Sequence, residues 1–327
     1  MITRRRVVLA LCAGTLAPLA SFGQQSKVWR IGFLGDGVAA SRAGETLDPF
    51  RSGLQELGYF PGRNIVLDVR WSDNNSERRA KVAQELVGLN PDVIVTHGSS
   101  APIAIDAASK SVPVVIAVIA DVMATGLVAS LARPGGHVTG MTDQVADLSG
   151  KEVQLLKEML PNLQRASILW DSSNSILTRM SQETQAAART VGLQTHELPI
   201  QTPDEIETAL EAALKARSGA VIVIHSPLTV GNRARIAQLA LKKRLPLISA
   251  PVQFTEAGGL MSYGPDLTQY YRRAAGLVDK ILKGAKPGDI PIEQPTRFEF
   301  MVNMKTARTL GIKIPQSILV QATKVIE

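Results

Sequence analysis

The chain has almost none of the residue patterns that catalysis and metal binding require. Its 327 residues contain one cysteine, Cys12, in a segment that we expect to be removed, so disulfides and cysteine metal sites are excluded. Phosphate loops of the GxxxxGK[ST] type, GxSxG elbows, HExxH helices and CxxC pairs are missing. The four histidines are scattered, without the helical spacing of a metal site. These absences disfavour the common hydrolase, NTPase and metalloenzyme classes, and we expect no cofactor.

Concentrated positive charge and aromatic side chains are also scarce. The net charge is +7, and three of the positive residues, Arg4–Arg6, lie at the N-terminus, which leaves +4 for the rest of the chain. The densest basic cluster beyond them, Lys242–Arg244, suits the C-terminal end of a helix, so we expect no nucleic-acid partner. Aromatic residues make up 4% of the chain, too few for the stacking platform of a carbohydrate site, so a sugar ligand is disfavoured.

The first residues have the layout of a bacterial export signal. Arg4–Arg6 precede an uncharged, mostly apolar run over 7–20, and a small-x-small sequence over 21–23 follows. The apolar run is too short to span a bilayer, which takes about 20 residues. We therefore predict a signal peptide over 1–23, cleavage near Gln24 and a periplasmic protein. The arginine run fits a twin-arginine (Tat) signal and an arginine-rich Sec signal equally well, so both export routes stay open.

Strands alternate with helices over residues 28–141. Apolar runs rich in β-branched residues, such as Trp29–Leu34 and Asp92–Thr96, predict buried strands. Apolar residues at helical spacing predict a helix over Ser76–Leu89 and a short helix over Gly126–Ala132. This half of the chain is therefore predicted to form one parallel, helix-covered sheet.

The same alternation restarts over residues 148–262. A long helix is predicted over Asn174–Val191, and Thr202 with Glu205 has the pattern of a capping box that opens the next helix. The two halves lack obvious sequence identity, so only their architecture is duplicated.

The tail after residue 263 returns to both halves. It contains a predicted long helix over Leu267–Leu282 and a predicted strand over Phe298–Val302. We therefore predict an α/β protein of two doubly wound parallel-sheet lobes joined by a hinge. The predicted boundaries are 28–141 plus about 264–290 for the first lobe and 142–263 plus about 291–327 for the second.

Two polar segments follow strands in opposite lobes. Thr96–Ala101 and Asp171–Ser175 both end a strand and open a helix, and ligands of such sheets bind at the carboxyl ends of strands. Exposed N–H groups and the helix dipole suit an anion or carboxylate there, although ordinary N-caps use the same residue types. Their matched placement favours a ligand cleft. His97 and His225 also end strands, which places each for a polar role in that cleft.

Several longer segments are similar to one family of proteins. These segments are Phe50–Tyr59, Gly62–Ile65, Asp92–Thr96, Gly126–Gly136, Glu256–Pro265, Tyr271–Ala275 and Asp279–Gly284. Through them the chain resembles the ABC-transporter substrate-binding proteins of the tryptophan/tyrosine-binding-like group, over essentially all of its length after the signal. The resemblance implies a type I periplasmic-binding-protein fold, no catalysis, and delivery of a small-molecule ligand to a membrane ABC permease. We also expect a monomer.

The resemblance further implies that loops at strand ends hold the ligand. The predicted ligand-binding residues are Gly35, Asp36, Thr96, His97, Gly98, Ser99, Ser100, Asp121, Thr142, Asp143, Asp171, Asn174, Ser226, Tyr263 and Gly264. Three stretches depart from the usual family pattern, at Gly98–Ser100, Ala120–Val122 and Ser226–Pro227. These departures fall in the predicted cleft and concern the ligand more than the fold.

The leading hypothesis is an extracytoplasmic solute-binding protein that closes two lobes around a small ligand. Hydroxyls, backbone amides and Asp121 or Asp143 favour an amino acid or a related carboxylate as that ligand. An exported sensory module would use the same lobes, and neighbouring genes for a permease or for a sensor kinase would distinguish the two. An exported two-lobed enzyme is disfavoured because no acid–base pair or nucleophile pattern is present.

Overall fold

Two helix-covered sheets form the molecule, which confirms the predicted α/β fold class. The computed structural model describes residues 27–37, 39–143, 145–295 and 298–327. The predicted signal peptide and its cleavage point near Gln24 lie outside the described residues. None of the helices in the described part of the chain is both long enough and apolar enough to cross a membrane.

The first sheet has five strands, all parallel, in the order β2-β1-β3-β4-β5. Its strands are β1 (Trp29–Gly35), β2 (Ile65–Trp71), β3 (Val93–Thr96), β4 (Val114–Ile119) and β5 (Val138–Thr142). The helices between them are α1 (Ala39–Glu56), α2 (Ser76–Gly88) and α3 (Ser100–Ala108), and a short 3₁₀ turn, Met123–Thr125, follows β4.

The second sheet has seven strands in the order β12-β11-β10-β9-β8-β6-β7, and only the β10–β11 pair is antiparallel. Its strands are β6 (Arg165–Asp171), β7 (Gln194–Ile200), β8 (Val221–Val223), β9 (Leu247–Ser249), β10 (Met261–Gly264), β11 (Glu299–Asn303) and β12 (Lys324–Ile326). The remaining helices are α4 (Val145–Met159), α5 (Ser175–Thr190), α6 (Glu205–Lys215), α7 (Pro227–Gly231), α8 (Arg233–Lys242), α9 (Val252–Glu256), α10 (Leu267–Leu282), α11 (Met304–Leu310) and α12 (Gln316–Gln321).

Successive residues of the first-sheet strands pack into cores on opposite faces. Ile31 and Phe33 belong to the core under α1 and α10, whereas Leu34 belongs to the core under α2 and α3. All six residues of Val114–Ile119 are buried. Burial on both faces explains why these strands are unbroken apolar runs in the sequence. The sheet therefore holds the loops at its strand ends on a well-packed base.

The chain passes between the two sheets after β5, after β10 and before β11. Between the last two passages α10 packs on α1 and on β3, β4 and β5. The backbone N–H groups of Ile292 and Glu293 then donate to first-lobe carbonyls, those of Leu131 at 2.8 Å and Gly140 at 2.9 Å. Three connecting segments side by side are the arrangement that allows two lobes to open and close as a hinge.

The predicted helix over Gly126–Ala132 is wrong. Gly126 takes a left-handed φ of +71°, which ends the preceding 3₁₀ turn. The segment continues as a loop in which Val128 packs on the core under α2 and α3. The backbone N–H of Ala129 donates to the carbonyl of Pro134 at 3.0 Å. Packing of the apolar side chains on the core therefore overrides the helical spacing of the sequence.

Thr202 does not cap a helix as predicted. Helix α6 begins at Glu205, whose carboxylate accepts a hydrogen bond from the backbone N–H of Gln201 at 2.8 Å. The sequence also did not predict α9, α12 and β12, which have five, six and three residues. Elements this short show too little periodicity to be distinguished from loops.

Candidate functional site

The carboxyl ends of the strands in the two sheets face each other across a cleft. Loops after β3, β4 and β5 enter the cleft from the first lobe, and loops after β6 and β8 enter it from the second. With the start of α10 they enclose a cavity of about 50 Å³. Its lining consists of His97, Gly98, Ser99, Val118, Ile119, Ala120, Asp143, Asn174, Leu177, His225, Ser226, Pro227, Val230, Leu267 and Tyr271.

The loop after β3 forms the first-lobe wall of the cavity. The Nε2 atom of buried His97 accepts a hydrogen bond from the backbone N–H of Asp36 at 3.1 Å. Because an acceptor nitrogen carries no proton, His97 is a neutral imidazole with its proton on Nδ1. The ring also meets Tyr271 edge-on, with the centroids 5.6 Å apart. His97 is therefore held in one orientation by the loop after β1 and by α10.

Ser99 precedes α3 and lies against the cavity. Its side chain is buried but makes no capping hydrogen bond to the helix. The first N–H groups of a helix have no partner within it, so the start of α3 offers donors beside the Ser99 hydroxyl. Gly98 adopts a left-handed φ of +72°, which turns the chain from β3 into this helix.

Asn174 and Ser226 form the polar part of the second-lobe wall. Asn174 caps α5, because its Oδ1 atom accepts from the N–H of Ile176 at 3.2 Å. Ser226 caps the short α7 in a reciprocal pair with Thr229, with distances of 2.8 and 3.2 Å. Both predicted residues therefore line the cavity and also stabilise the start of a helix.

Asp143 and His225 connect the lobes at the cavity. Asp143 Oδ2 lies 2.9 Å from His225 Nε2, and the Asp143 side chain is completely buried. Asp143 Oδ1 and His225 Nδ1 are buried without a hydrogen-bond partner among the described residues. Since buried polar atoms are normally hydrogen-bonded, Asp143 Oδ1 is a candidate for a ligand contact.

The remaining wall is apolar. Val118 and Ile119 come from β4, Leu177 from α5, Val230 from α7 and Leu267 from α10. A site with an aliphatic wall opposite a few convergent polar groups is typical of small-molecule pockets. The arrangement suits a solute that has a polar end and an apolar end.

Asp36, predicted as a ligand residue, does not line the cavity. Its carboxylate accepts hydrogen bonds from the hydroxyl of Ser72 and from Arg79 Nε, the latter at 2.9 Å. These partners belong to the first lobe, so the acid stabilises the loop after β1 and orients His97 through its backbone N–H.

Two predicted threonines also lie behind the cavity. The hydroxyl of Thr96 donates to the carbonyl of Leu34 at 3.0 Å, and that of Thr142 donates to the carbonyl of Ala120 at 3.2 Å. Both side chains therefore tie together neighbouring first-lobe strands or the loops that follow them.

Two predicted aspartates cap local turns outside the cavity lining. Asp121 Oδ1 accepts from the N–H of Ala124 at 3.0 Å. Asp171 Oδ1 accepts from the N–H of Ser173 at 3.0 Å. Both are Asx-type turns, which stabilise the loop rather than offer a carboxylate to the cleft.

The other predicted residues outside the lining are Gly35, Ser100, Tyr263 and Gly264. A Cβ atom on either glycine would collide with neighbouring atoms, so close packing explains both glycines. Ser100 is the first residue of α3, one position beyond the lining. Tyr263 stacks on Phe298 with the ring centroids 6.0 Å apart, at the passage between the lobes.

Further contacts join the two lobes around the cavity. Arg233, at the start of α8, forms an ion pair with Glu45 of α1. Arg179 of α5 lies 3.4 Å from Asp121, and Ala120 packs against the second-lobe apolar cluster under α5. The described structure therefore has its lobes in contact on the cleft side.

Sequence reasoning missed most of the apolar wall. Leu267 and Tyr271 are one helical turn apart on α10. The residues by which α10 packs on the first-lobe core have the same spacing. No signal in the sequence separates the two roles. His225 was found by its position after a strand, but its pairing with Asp143 was not predicted.

Comparison with known proteins agrees with this architecture. Residues 38–326 match the model of the family described as ABC transporter substrate binding protein, and the chain belongs to this family. It is a family of solute-binding proteins, not of enzymes. The chain is thus a substrate-binding protein of the ABC transporter family.

Individual relatives are similar along most of the chain. A tyrosine-binding protein of Clostridioides difficile (strain R20291) is 24% identical over 267 residues, which is 81% of this chain and 76% of the relative. A solved ABC domain from Streptococcus pneumonia in complex with L-Trp is 27% identical, with a TM-score of 0.84 over 91% of this chain and 99% of that one. A ligand-free, open substrate-binding protein with adhesive properties from Clostridium difficile shares the fold, with 22% identity and a TM-score of 0.66 over 92% of this chain and 99% of that one.

Proposed function

We propose that this chain is the periplasmic receptor of an ABC importer, and that it captures an amino acid or a related carboxylate between its lobes. The observation that carries the proposal is the cavity at the facing strand ends, where polar groups from both lobes meet an aliphatic wall. The predicted signal over 1–23 would export the chain by the Sec or the Tat route.

The polar groups favour a carboxylate at one end of the ligand. Helices α3 and α5 both begin at the cavity wall, one from each lobe, and helix N-termini attract negative charge. The Ser99 hydroxyl lies beside the first of these starts. The names of the relatives that bind tyrosine and L-Trp support an amino acid as the ligand.

The size of the cavity supports opening and closing of the lobes. A volume of about 50 Å³ accommodates only a few water molecules, so a solute of amino-acid size enters when the lobes move apart. A ligand that prefers the closed arrangement then shifts the equilibrium towards it, and a membrane permease would recognise that form.

The proposal is tested by a thermal-shift screen of residues 24–327 with the twenty amino acids, aromatic acids and simple sugars, followed by calorimetry. A ligand at 100 times its Kd should stabilise the protein by about 2.7 kcal/mol. Ser99→Ala should weaken binding of the positive compound by about 0.5–1.5 kcal/mol. Ser109→Ala, at the other end of the same helix, is the matched control and should leave the affinity unchanged.

Two results would contradict the proposal. One is that no small solute in the screen raises the unfolding temperature. The other is that the protein converts the bound compound chemically, which would make it an enzyme acting at the same cleft.

A further inference from the structure

Among the described residues, Asp143 forms a hydrogen bond through only one of its two carboxylate oxygens. The residue follows β5 and its side chain is 0% exposed. His225 Nε2 contacts Oδ2 at 2.9 Å, whereas Oδ1 has no hydrogen-bond partner in the described part of the chain. Because a carboxylate oxygen only accepts hydrogen bonds, His225 Nε2 is the donor of this pair. The second oxygen remains able to accept from a donor in the cavity.

The charge of Asp143 is not balanced by an arginine or a lysine of the cavity. None of the described residues that line the cavity is a lysine or an arginine. Tyr270 of α10 is also close enough to Asp143 to feel its charge, and its hydroxyl has no partner among the described residues. Burial first, and the negative charge of Asp143 second, raise the pKa of Tyr270, so its hydroxyl stays neutral. A buried carboxylate in these surroundings is costly unless a cation approaches it.

We infer that the cavity takes ligands with a protonated amine, which binds Oδ1 of Asp143 while His225 of the opposite lobe holds Oδ2. The inference rests on the proposed function and specifies the ligand class of the same site. Asp143 is the residue that touches the ligand. His225 acts through Asp143 and is a positioning residue.

Because one carboxylate oxygen of Asp143 contacts the ligand and the other contacts His225, the charge of the ligand is coupled to closure of the lobes. Asp143 belongs to the first lobe and His225 to the second, so their hydrogen bond forms only when the lobes meet. Closure buries the carboxylate, and a bound ammonium group offsets the cost of that burial. A ligand without the amine leaves the cost in place and therefore favours the closed form less.

The ligand side of the inference is tested by calorimetry with matched pairs of probes. The pairs are L-tyrosine with 3-(4-hydroxyphenyl)propanoate, L-tryptophan with 3-(indol-3-yl)propanoate, and L-leucine with 4-methylpentanoate. We expect the amino acid that binds to do so about 10- to 100-fold more tightly than its deaminated partner, as for a hydrogen bond between charged groups. Asp143→Asn keeps the shape and should abolish this preference, whereas Tyr270→Phe should preserve it.

The positioning role of His225 is tested by the radius of gyration from small-angle scattering. In the wild type the radius should fall when the bound amino acid is added. His225→Phe removes the donor and should prevent this fall, while His225→Gln retains a donor and should restore it. His196→Phe is the matched control, since His196 lies near the start of β7, away from the cavity, and this variant should behave as wild type.

The outcomes separate the inference from the function on which it rests. Equal affinity of Asp143→Asn and wild type for the amino acid overturns the inference while the receptor function stands. Tight binding of amine-free solutes, without binding of any amino acid, also overturns the inference. If Tyr270→Phe loses the preference for the amine and Asp143→Asn does not, the partner of Asp143 Oδ1 is the tyrosine hydroxyl and not the ligand, and the inference is overturned. Failure of every solute to bind the wild type would contradict the proposed function itself.

Discussion

The loops after β1 and after β5 both carry a buried aspartate at the same edge of the same sheet, but the two acids have different partners. Asp36 is bonded to Arg79 and Ser72 within its own lobe. Asp143 is bonded through one oxygen to His225 of the other lobe. Burial and strand-end position are thus shared by a structural acid and a candidate ligand-binding acid. What distinguishes them is whether the first lobe alone supplies the balancing charge.

Glu152 in α4 provides a third case. It is buried in the second lobe, and its Oε1 has no hydrogen-bond partner among the described residues. Burial raises its pKa from the ordinary 4.5 to about 8, so this acid is protonated at neutral pH. Three buried acids therefore meet the cost of burial differently: by an ion pair within a lobe, by a bond between lobes, and by retaining the proton.

The largest expected effect comes from removing the structural acid. Asp36→Ala leaves the nearly buried Arg79 without its partner and should destabilise the protein by about 3–5 kcal/mol. Urea unfolding measures the change. Asp68→Ala, which breaks the more exposed pair with Arg30, is the control and should cost about 0–1 kcal/mol. Equal losses in both variants would show that Asp36 has no special structural role.

The next effect should appear in the pH dependence of stability. Between the pKa of the unfolded chain, 4.5, and about 8 in the fold, folded Glu152 holds a proton that the unfolded chain has lost. This contribution to stability is complete below pH 4.5 and decreases as the pH rises towards 8, by up to about 1.4 kcal/mol per pH unit.

The measurement is the free energy of unfolding from pH 5 to 8 for wild type and for Glu152→Gln, which cannot titrate. The free energy of unfolding of the wild type, relative to that of this variant, should decrease as the pH rises. Glu207→Gln, on the exposed face of α6, should follow the wild type throughout. A constant difference across the range would contradict a raised pKa for Glu152.

The smallest effect is expected from an ion pair between the lobes. Arg233 and Glu45 are partly exposed, so reversing one charge should weaken ligand binding by only about 0.3–1 kcal/mol. The double reversal, Arg233→Glu with Glu45→Arg, should restore the affinity. Reversing the exposed Arg272–Glu56 pair, which lies within the first lobe, should leave the affinity unchanged. Calorimetry that finds the same loss for both pairs would exclude a specific role in closure.

The sequence alone determined most of the fold. Helix α10 has the predicted bounds, Leu267–Leu282, and the strands Trp29–Gly35 and Val93–Thr96 lie on the predicted apolar runs Trp29–Leu34 and Asp92–Thr96. These elements follow from local periodicity and from burial on both strand faces, which neighbouring residues encode. The helix predicted over Gly126–Ala132 is wrong because the apolar residues of this segment face a core formed by distant parts of the chain.

Part of the candidate site was also predicted from the sequence. His97, Ser99 and Asn174 were predicted from their positions after strands and line the cavity. The tertiary structure decided the rest: Arg79 neutralises Asp36 and removes it from the site, while Asp143 meets His225 82 residues further along. The position of a residue at a strand end predicts that its side chain reaches the cleft, but not which charged group lies beside it. That depends on how the chain passes between the lobes, and no local pattern records it.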